Sequence, residues 1–202
     1  MKKILITGTT RGIGRACAHR FTAGGWSVTP VARSVDTTEG VPTDLTRVRQ
    51  LDAIPRGPYD AVLLNAADYR PGRLTDGRED VFTQLLPLNV LANHRLVRRL
   101  LPPMVARGSG HLLVVGSTGT DYFPEHMTAY VATKYALRGL FLGWERELAG
   151  SGVLATLIAP GATLTSSWDG ETPPPGILSP ETVAERIWAA VANRGTGRVT
   201  VE

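Results

Sequence analysis

The residues with the clearest potential for chemistry are Tyr130 and Lys134, which are four positions apart. Residues i and i+4 share one face of an α-helix, so a helix beginning near Met127 would direct the phenol and the ammonium into one cleft. A free phenol has a pKa near ~10, and a neighbouring cation lowers that pKa by favouring the phenolate. The pair could therefore exchange a proton with a substrate, although an ordinary tyrosine followed by a solvated lysine has the same spacing.

The composition gives Lys134 a further distinction. Of the 22 basic residues only Lys2, Lys3 and Lys134 are lysines, and the other 19 are arginines. Lysine is a compact cation with rotatable donors, which can bond a ribose hydroxyl while lying beside a phenol, and a planar guanidinium does this less well. The composition thus favours a specific role for Lys134.

Length and composition indicate one globular domain over residues 1–202, with 43% hydrophobic and 20% charged residues. No apolar run approaches the ~20 residues that span a membrane, and the first residues lack a signal-peptide cleavage site, so we expect a cytoplasmic protein with no membrane partner.

The lone Cys17 is expected to be a buried apolar residue. The four histidines lack metal-ligand spacing, so no metal is expected. A net charge of +4 without a nucleic-acid motif favours an anionic cofactor or substrate over nucleic acid.

The N-terminal region has the pattern of a strand, a glycine turn and a helix. Residues 3–7 are apolar, Gly8, Gly12 and Gly14 follow, and a helical pattern runs from Arg15 to Ala23. Such glycines let a pyrophosphate approach the backbone, where the helix N-terminus offers unpaired N–H groups. The alternative is a turn that only packs the helix on the strand.

The end of the second predicted strand, residues 27–32, bears on which dinucleotide could bind. An acidic residue at this point bonds the ribose 2′-OH of NAD, whereas an arginine accommodates the 2′-phosphate of NADP. Here Ala32 is followed by Arg33 and Ser34, and Arg11 adds a cation in the glycine turn. We therefore expect NADP, the alternative being a solvated Arg33 and no selectivity.

Strand and helix patterns alternate through the rest of the chain. Further strands are predicted to end near residues 44–45 and to cover residues 59–64, 111–115, 152–158 and 198–201, with helices over residues 46–54, 79–106 and 179–193 and one beginning near 127. Residues 35–43 are too short for a crossover helix, and Pro87 should kink the helix that carries Asn89. This alternation predicts an α/β fold, a Rossmann-like doubly wound parallel sheet of about seven strands with helices on both faces.

Five motifs in this order resemble the short-chain dehydrogenase/reductase family over nearly the whole chain. They are T-G-x-x-x-G-x-G at residues 7–14, Asn65-Ala-Ala, Asn89, Ser117 and Tyr130-x-x-x-Lys134. The resemblance implies an NADP-dependent carbonyl reductase or alcohol dehydrogenase with Tyr130 as the general acid or base. Lys134 would lower the pKa of Tyr130 and bond the nicotinamide ribose. Ser117 would donate to the substrate oxygen, and Asn89 would hold a water that links Lys134 to solvent.

The resemblance also assigns the contacts of the cofactor. The glycines would shape the pyrophosphate turn, the residues near 44 would border the adenine, and those after residue 159 would fix the nicotinamide carboxamide. The implied binding residues are Gly8, Thr10, Arg11, Gly12, Ile13, Gly14, Arg33, Ser34, Asp44, Leu45, Asn65, Ala66, Ala67, Tyr130, Lys134, Pro160, Gly161, Thr163 and Thr165.

Departures from the family pattern leave alternatives open. Asn65-Ala-Ala replaces N-A-G, and the segment between residues 165 and 179 is short, so the substrate wall should come from residues 118–127, with Tyr122, Phe123 and His126 available. His126 fits a loop surface better than a catalytic role. A cofactor sensor without turnover, or an isomerase or dehydratase using the same residues, remains a competing function. Ser117 as an acyl nucleophile is disfavoured because no G-x-S-x-G motif surrounds it.

An apolar stripe on the helix after Tyr130 predicts a homodimer. Its members are Leu137, Leu140, Phe141, Trp144 and Leu148, a set that is too wide for one contact with a sheet. The alternative is that the whole stripe belongs to the core.

Overall fold

A computed structural model describes residues 1–72, 75, 79–170 and 172–202. The strands are β1 (Lys3–Thr7), β2 (Ser27–Ala32), β3 (Val41–Pro42), β4 (Ala61–Leu64), β5 (Gly110–Val115), β6 (Val153–Pro160) and β7 (Gly197–Val201). The α-helices are α1 (Gly12–Ala23), α2 (Val81–Leu86), α3 (Asn93–Arg107), α4 (Gly119–Tyr122), α5 (Thr128–Leu148) and α6 (Pro180–Ala192). Short 3₁₀-helices cover Val48–Ala53 and Ser166–Trp168, and a π-helix covers Pro87–Ala92.

All seven strands form one parallel sheet in the order β3-β2-β1-β4-β5-β6-β7. The chain runs outward from β1 to β3 and then returns to β4 on the other side of β1, so the strand order reverses between β1 and β4. In open parallel sheets the crevice outside the carboxyl ends of the strands at such a reversal binds ligands. The predicted Rossmann-like fold is confirmed.

Alternate residues of the strands supply the cores on the two faces of the sheet. On β1, Leu5 packs with the cluster under α3 and α5, whereas Ile4 and Ile6 pack with the cluster under α1 and α6. Side chains on a strand alternate between faces, so a strand covered on both faces is apolar throughout. The buried Cys17 lies in the second cluster, as expected.

The apolar stripe on α5 belongs to the core. Leu137, Phe141, Trp144 and Leu148 are all buried in the cluster that also contains α3 residues, and Leu140 packs against it. Because α3 lies beside α5, the sheet and α3 together cover a wider arc of the helix than one sheet could. The stripe is therefore no evidence for a dimer, and the homodimer stays a prediction.

Three elements depart most from the predicted boundaries. Helix α1 begins at Gly12, three residues earlier than expected, so Gly12 and Gly14 belong to its first turn. Strand β3 ends at Pro42, before Asp44, and proline cannot donate to a strand ladder. The predicted helix over residues 79–106 consists of α2, the π-helix and α3, with the irregular turn beginning at Pro87, which lacks an N–H. Residues 33–40 contain no helix, as predicted.

None of the helices in the described ranges is long and apolar enough to cross a membrane.

His111 on β5 should make stability depend on pH. Its side chain is 4% exposed, and its Nε2 lies 2.8 Å from the Thr156 hydroxyl, which donates to the Gly195 carbonyl. Burial, with a smaller contribution from the Arg194 charge, lowers the pKa of His111 from 6.5 to about 4. The folded state therefore prefers neutral imidazole, so this contribution to stability is complete above the unfolded pKa and is lost as the pH falls.

We expect the free energy of unfolding to decrease by up to about 3 kcal/mol between about pH 6.5 and pH 4 through this group alone. Urea unfolding at a series of pH values, for wild type and His111→Gln, measures the effect. The variant should lose less stability than wild type over this range, and equal losses would contradict the assignment.

Candidate active site

A cavity of about 870 Å³ lies along the carboxyl edge of the sheet, where the strand order reverses. The ends of β1, β2, β4, β5 and β6 all contribute residues to its wall. Of the residues predicted to act in catalysis or to bind the cofactor, all but Gly14 and Asn89 line this one cavity. The structure thus brings together predicted residues that are up to 157 positions apart in the sequence, from Gly8 to Thr165.

The Thr7 hydroxyl and the Asn65 amide join the ends of β1 and β4. The Thr7 hydroxyl accepts from the N–H groups of Asn65 and Ala66 at 2.9 and 3.0 Å. The Asn65 Nδ2 donates to the carbonyls of Thr7 and Gly8 at 3.0 and 3.2 Å. Asn65 therefore fixes the glycine turn beside the cavity. Thr7 is its bonding partner, a role that its place at the start of the glycine motif did not indicate.

The glycine turn has a different requirement at each glycine. Gly8 and Gly12 have φ angles of +73° and +54°, a region that favours glycine. At Gly14 a Cβ would lie 2.1 Å from the Gly8 carbonyl oxygen, so this glycine lets α1 pack against the turn and does not line the cavity. The first turn of α1 has no side-chain cap, which leaves its N–H groups for an anion.

The end of β2 is electropositive on the cavity side. Arg33 and Arg11 are exposed there, and neither forms a salt bridge with a described residue. Hydrogen bonding from Thr46 is the main cause that lowers the pKa of Asp44, and the charges of Arg47 and Arg33 lower it further. Asp44 is therefore ionised beside Arg33, at the part of the cavity where an adenosine end was predicted.

Lys134 is a buried cation with unused donors. Its residue is 3% exposed, and its Nζ donates to the Val115 carbonyl at 3.0 Å. Burial lowers the pKa of the ammonium to about 8. An ammonium has three N–H donors, and the described residues give Nζ no hydrogen-bond acceptor besides Val115. Two donors therefore remain for hydroxyl groups of a ligand.

Tyr130 is held as a neutral phenol. Burial raises the pKa of Tyr130 to about 12, the hydrogen bond with Ser117 acts in the opposite direction, and the nearby phenols of Tyr69 and Tyr122 raise it further. The Lys134 Nζ lies 5.6 Å from the centre of the Tyr130 ring and bonds to Val115 instead. The prediction that Lys134 lowers the pKa of Tyr130 is thus wrong, because burial dominates and raises that pKa.

Asn89 lies beneath the cavity and not in its wall. It is fully buried, its side-chain oxygen accepts from the Asp68 N–H at 2.8 Å, and its Nδ2 donates to the Asp68 carbonyl and the Thr133 hydroxyl. The Thr133 hydroxyl donates in turn to the Tyr130 carbonyl at 2.7 Å. The side chain of Asn89 is bonded to protein groups, so it connects the loop after β4 to the first turn of α5, and the water predicted at Asn89 stays a prediction.

The wall near Tyr130 differs in part from the predicted one. Tyr122, Pro124 and Met127 line the cavity, whereas Phe123 and His126 do not. Phe123 is 62% exposed and stacks on Tyr135, with ring centres 5.3 Å apart. Two further wall residues on this side, Tyr69 and Trp168, were missed. Both belong to loops that follow strands, and only that position could have indicated them.

The residues of the cavity fit a nicotinamide dinucleotide. The uncapped helix N-terminus and its glycines suit a pyrophosphate, and the unused donors of Lys134 suit ribose hydroxyls. The carboxyl end of β6 adds Pro160, Gly161, Thr163 and Thr165 on the same side as Tyr130.

Comparison with known proteins gives a consistent result. The family model of short chain dehydrogenase matches residues 2–56 and 48–174. An uncharacterized oxidoreductase of Staphylococcus aureus (strain MW2) is 29% identical over 209 residues, covering 94% of this chain and 90% of the relative. An uncharacterized oxidoreductase of Staphylococcus haemolyticus (strain JCSC1435) is 29% identical over 223 residues, covering 98% and 95%.

Two solved structures show the same fold with a bound nucleotide. A short-chain dehydrogenase from Sphingobium yanoikuyae in complex with NADPH has a TM-score of 0.88 and 25% identity, covering 99% of this chain and 87% of that one. An alcohol dehydrogenase from the archaeon Thermococcus sibiricus complexed with 5-hydroxy-NADP has a TM-score of 0.85 and 25% identity, covering 100% and 96%. Since the family model covers most of the sequence, the chain is an oxidoreductase that belongs to the short-chain dehydrogenase family.

Proposed function

We propose that the protein is an NADP-dependent reductase that interconverts a carbonyl compound and a secondary alcohol. The observation that carries this proposal is the Lys134 ammonium, buried with two unused donors in the wall that also holds Tyr130 and Ser117. When bound, the reduced nicotinamide supplies a hydride. The carbonyl carbon receives this hydride and the carbonyl oxygen receives a proton, so an alcohol and the oxidised cofactor result.

Tyr130 is the proton donor in this proposal. Its raised pKa keeps the phenol protonated at neutral pH, which a general acid requires. The phenolate that remains is stabilised by its hydrogen bond with Ser117 and by the charge of Lys134, and it regains a proton from solvent. Ser117 accepts from the Gly119 N–H at 3.0 Å and bonds to Tyr130, so its one hydroxyl proton can serve either the phenolate or the substrate oxygen between them.

Three groups of residues bind the cofactor in this proposal. The N–H groups at the start of α1 and the glycine turn receive the pyrophosphate, and Lys134 receives the nicotinamide ribose. The residues after β6 receive the carboxamide, where Gly161 donates its N–H to the Val201 carbonyl at 2.9 Å and so is anchored to the last strand. Tyr130 and Asn65 both line this cavity.

The preference for NADP rests on Arg33 and Arg11. A 2′-phosphate carries up to two charges, and two exposed guanidinium groups line the cavity beside the end of β2. Ala32 places no carboxylate there to accept a 2′-OH or to repel a phosphate. The NADPH complex of the Sphingobium relative and the NADP derivative bound to the Thermococcus relative support the same choice.

Replacing Tyr130 by phenylalanine removes the transferable proton and little else. We expect Tyr130→Phe to lower kcat by ~10²–10⁴ while the affinity for NADPH stays close to that of wild type. Loss of cofactor absorbance with a panel of ketones and aldehydes gives the rate, and fluorescence titration gives the affinity. The matched control is Tyr135→Phe on the same helix, whose ring lies outside the cavity against Phe123. A Tyr130→Phe rate within about threefold of wild type would refute the assignment.

Replacing Arg33 by alanine should remove much of the selectivity between the two cofactors. We expect the affinity for NADPH to fall about tenfold and that for NADH to stay unchanged, because only NADPH has the 2′-phosphate. Titration of both cofactors against wild type, Arg33→Ala and Arg49→Ala measures this. Arg49 is an exposed arginine outside the cavity and controls for the loss of one positive charge. Equal affinities in wild type, or an unchanged preference in Arg33→Ala, would show that Arg33 does not select the cofactor.

A further inference from the structure

Aromatic and apolar side chains line the cavity that contains Tyr130 and Ser117, and two of them, Tyr69 and Tyr122, lie near Tyr130. They come from three separate segments, the loop after β4, the chain around α4 and the chain after β6. These residues are Tyr69, Tyr122, Pro124, Met127, Trp168 and Pro174. Rings already meet here, since Tyr69 contacts Tyr130 edge-to-face with ring centres 5.1 Å apart and an angle of 68°. A ligand ring entering this space would therefore meet other rings.

Trp168 is held in a fixed position in that wall. Its indole N–H donates to the Thr163 carbonyl at 3.1 Å, and the Thr165 side chain caps the 3₁₀-helix on which Trp168 lies. Two backbone hydrogen bonds between residues 162–164 and Leu178, of 2.8 and 2.9 Å, close the base of this segment. The indole is thus oriented before a ligand arrives, which reduces the entropy lost on binding.

The charged side chains of the described cavity residues lie away from Ser117, or are bonded to other residues of the protein. Arg33 follows β2, which is three strands away from β5 and Ser117, and Arg11 lies in the turn after β1. Asp68 forms an ion pair with Arg70 at 2.9 Å, and Lys134 donates to Val115. Within the described ranges, Lys134 is therefore the one lining cation near Tyr130, and the proposed function assigns its two remaining donors to the ribose of the cofactor and not to the substrate.

We infer that the substrate is an uncharged carbonyl compound that carries a planar aromatic ring next to its carbonyl group. This inference rests on the proposed function and names the substrate class for the same site. The carbonyl oxygen faces Tyr130 and Ser117, and the ring packs against Tyr69, Tyr122 and Trp168. Aromatic pairs in edge-to-face or offset geometry bind more tightly than the buried area alone accounts for, by about threefold to tenfold for each contact.

A matched pair of ketones tests the inference without chemistry. Acetophenone and cyclohexyl methyl ketone have the same carbonyl group and rings of equal carbon number, and only the first ring is planar. Their affinities are measured by ligand-observed NMR on Tyr130→Phe protein saturated with whichever reduced cofactor it binds more tightly. We expect acetophenone to bind about tenfold more tightly, and 4-acetylbenzoate, which adds a carboxylate, to bind more weakly than acetophenone.

Second substitutions in the Tyr130→Phe protein show whether the wall causes the preference. Trp168→Ala and Tyr122→Ala should each reduce the ratio of the two affinities by about threefold or more, while Trp168→Phe, which keeps a ring, should retain most of it. Phe123→Ala is the control, because Phe123 is an exposed neighbour outside the cavity. Its ratio should equal that of the parent protein.

The outcomes separate this inference from the proposed function. Equal affinities for the two ketones, a ratio that survives both alanine substitutions, or tighter binding of 4-acetylbenzoate would overturn the substrate class. None of these results concerns hydride transfer, since the protein used here lacks the proton donor. Conversely, a preserved ratio together with a wild type that reduces no carbonyl compound would support the inferred ligand class and refute the reductase.

Discussion

The buried ammonium of Lys134 is the interaction on which the rest of the site depends. A charge that is 3% exposed is stabilised only by groups that bond to it, and Val115 at the end of β5 supplies the one protein acceptor in the described part of the chain. Strand β5 must therefore end beside the face of α5 that carries Lys134. Tyr130 lies one turn earlier on the same helix, so the position of the cation also sets the position of the phenol.

A second network below the cavity holds the same turn of α5. The side chain of Asn89, in the π-helix, forms hydrogen bonds both with the backbone of Asp68 and with the Thr133 hydroxyl. The Thr133 hydroxyl donates in turn to the Tyr130 carbonyl. All these groups are polar, and Asn89 and Thr133 have no exposed surface, so each hydrogen bond that is lost would leave a buried polar atom without a partner. The irregular π-turn at Pro87–Ala92 thus has a structural consequence, because it is the element that carries Asn89.

The sequence was sufficient to predict the succession of strands and helices along the chain and most of the cavity wall. These features depend on glycines, strand ends and helix spacing, which are local signals. The sequence was insufficient where the outcome depends on which elements are neighbours. The apolar stripe containing Phe141 and Trp144 is core because α3 packs beside α5, and Asn89 faces inward because the loop after β4 reaches it. Tyr69 and Trp168 were missed for the same reason, since loops carry no periodicity that indicates a shared cavity.

The Tyr130 pKa illustrates a different limit. Spacing shows that a cation and a phenol share a helix face, but the direction of the pKa change depends on distance and desolvation together. At 5.6 Å from the ring, with its ammonium bonded to Val115, Lys134 does not offset the burial of Tyr130. A neutral phenol beside a cation of lowered pKa is still a suitable arrangement for a reduction, because the acid must keep its proton until the substrate oxygen receives it.

The affinity for the reduced cofactor as a function of pH tests most directly whether Lys134 binds the ribose. The Lys134 ammonium has a pKa of about 8, and the proposal has the cofactor bond its two remaining donors. Cofactor binding therefore favours the protonated form of Lys134. Titrations from about pH 6 to about pH 10 should give constant affinity in wild type below about pH 8 and falling affinity above it, up to about tenfold per pH unit. Lys134→Met should bind more weakly and show no such decline. The same pH profile in both proteins would contradict the role of Lys134 in the site.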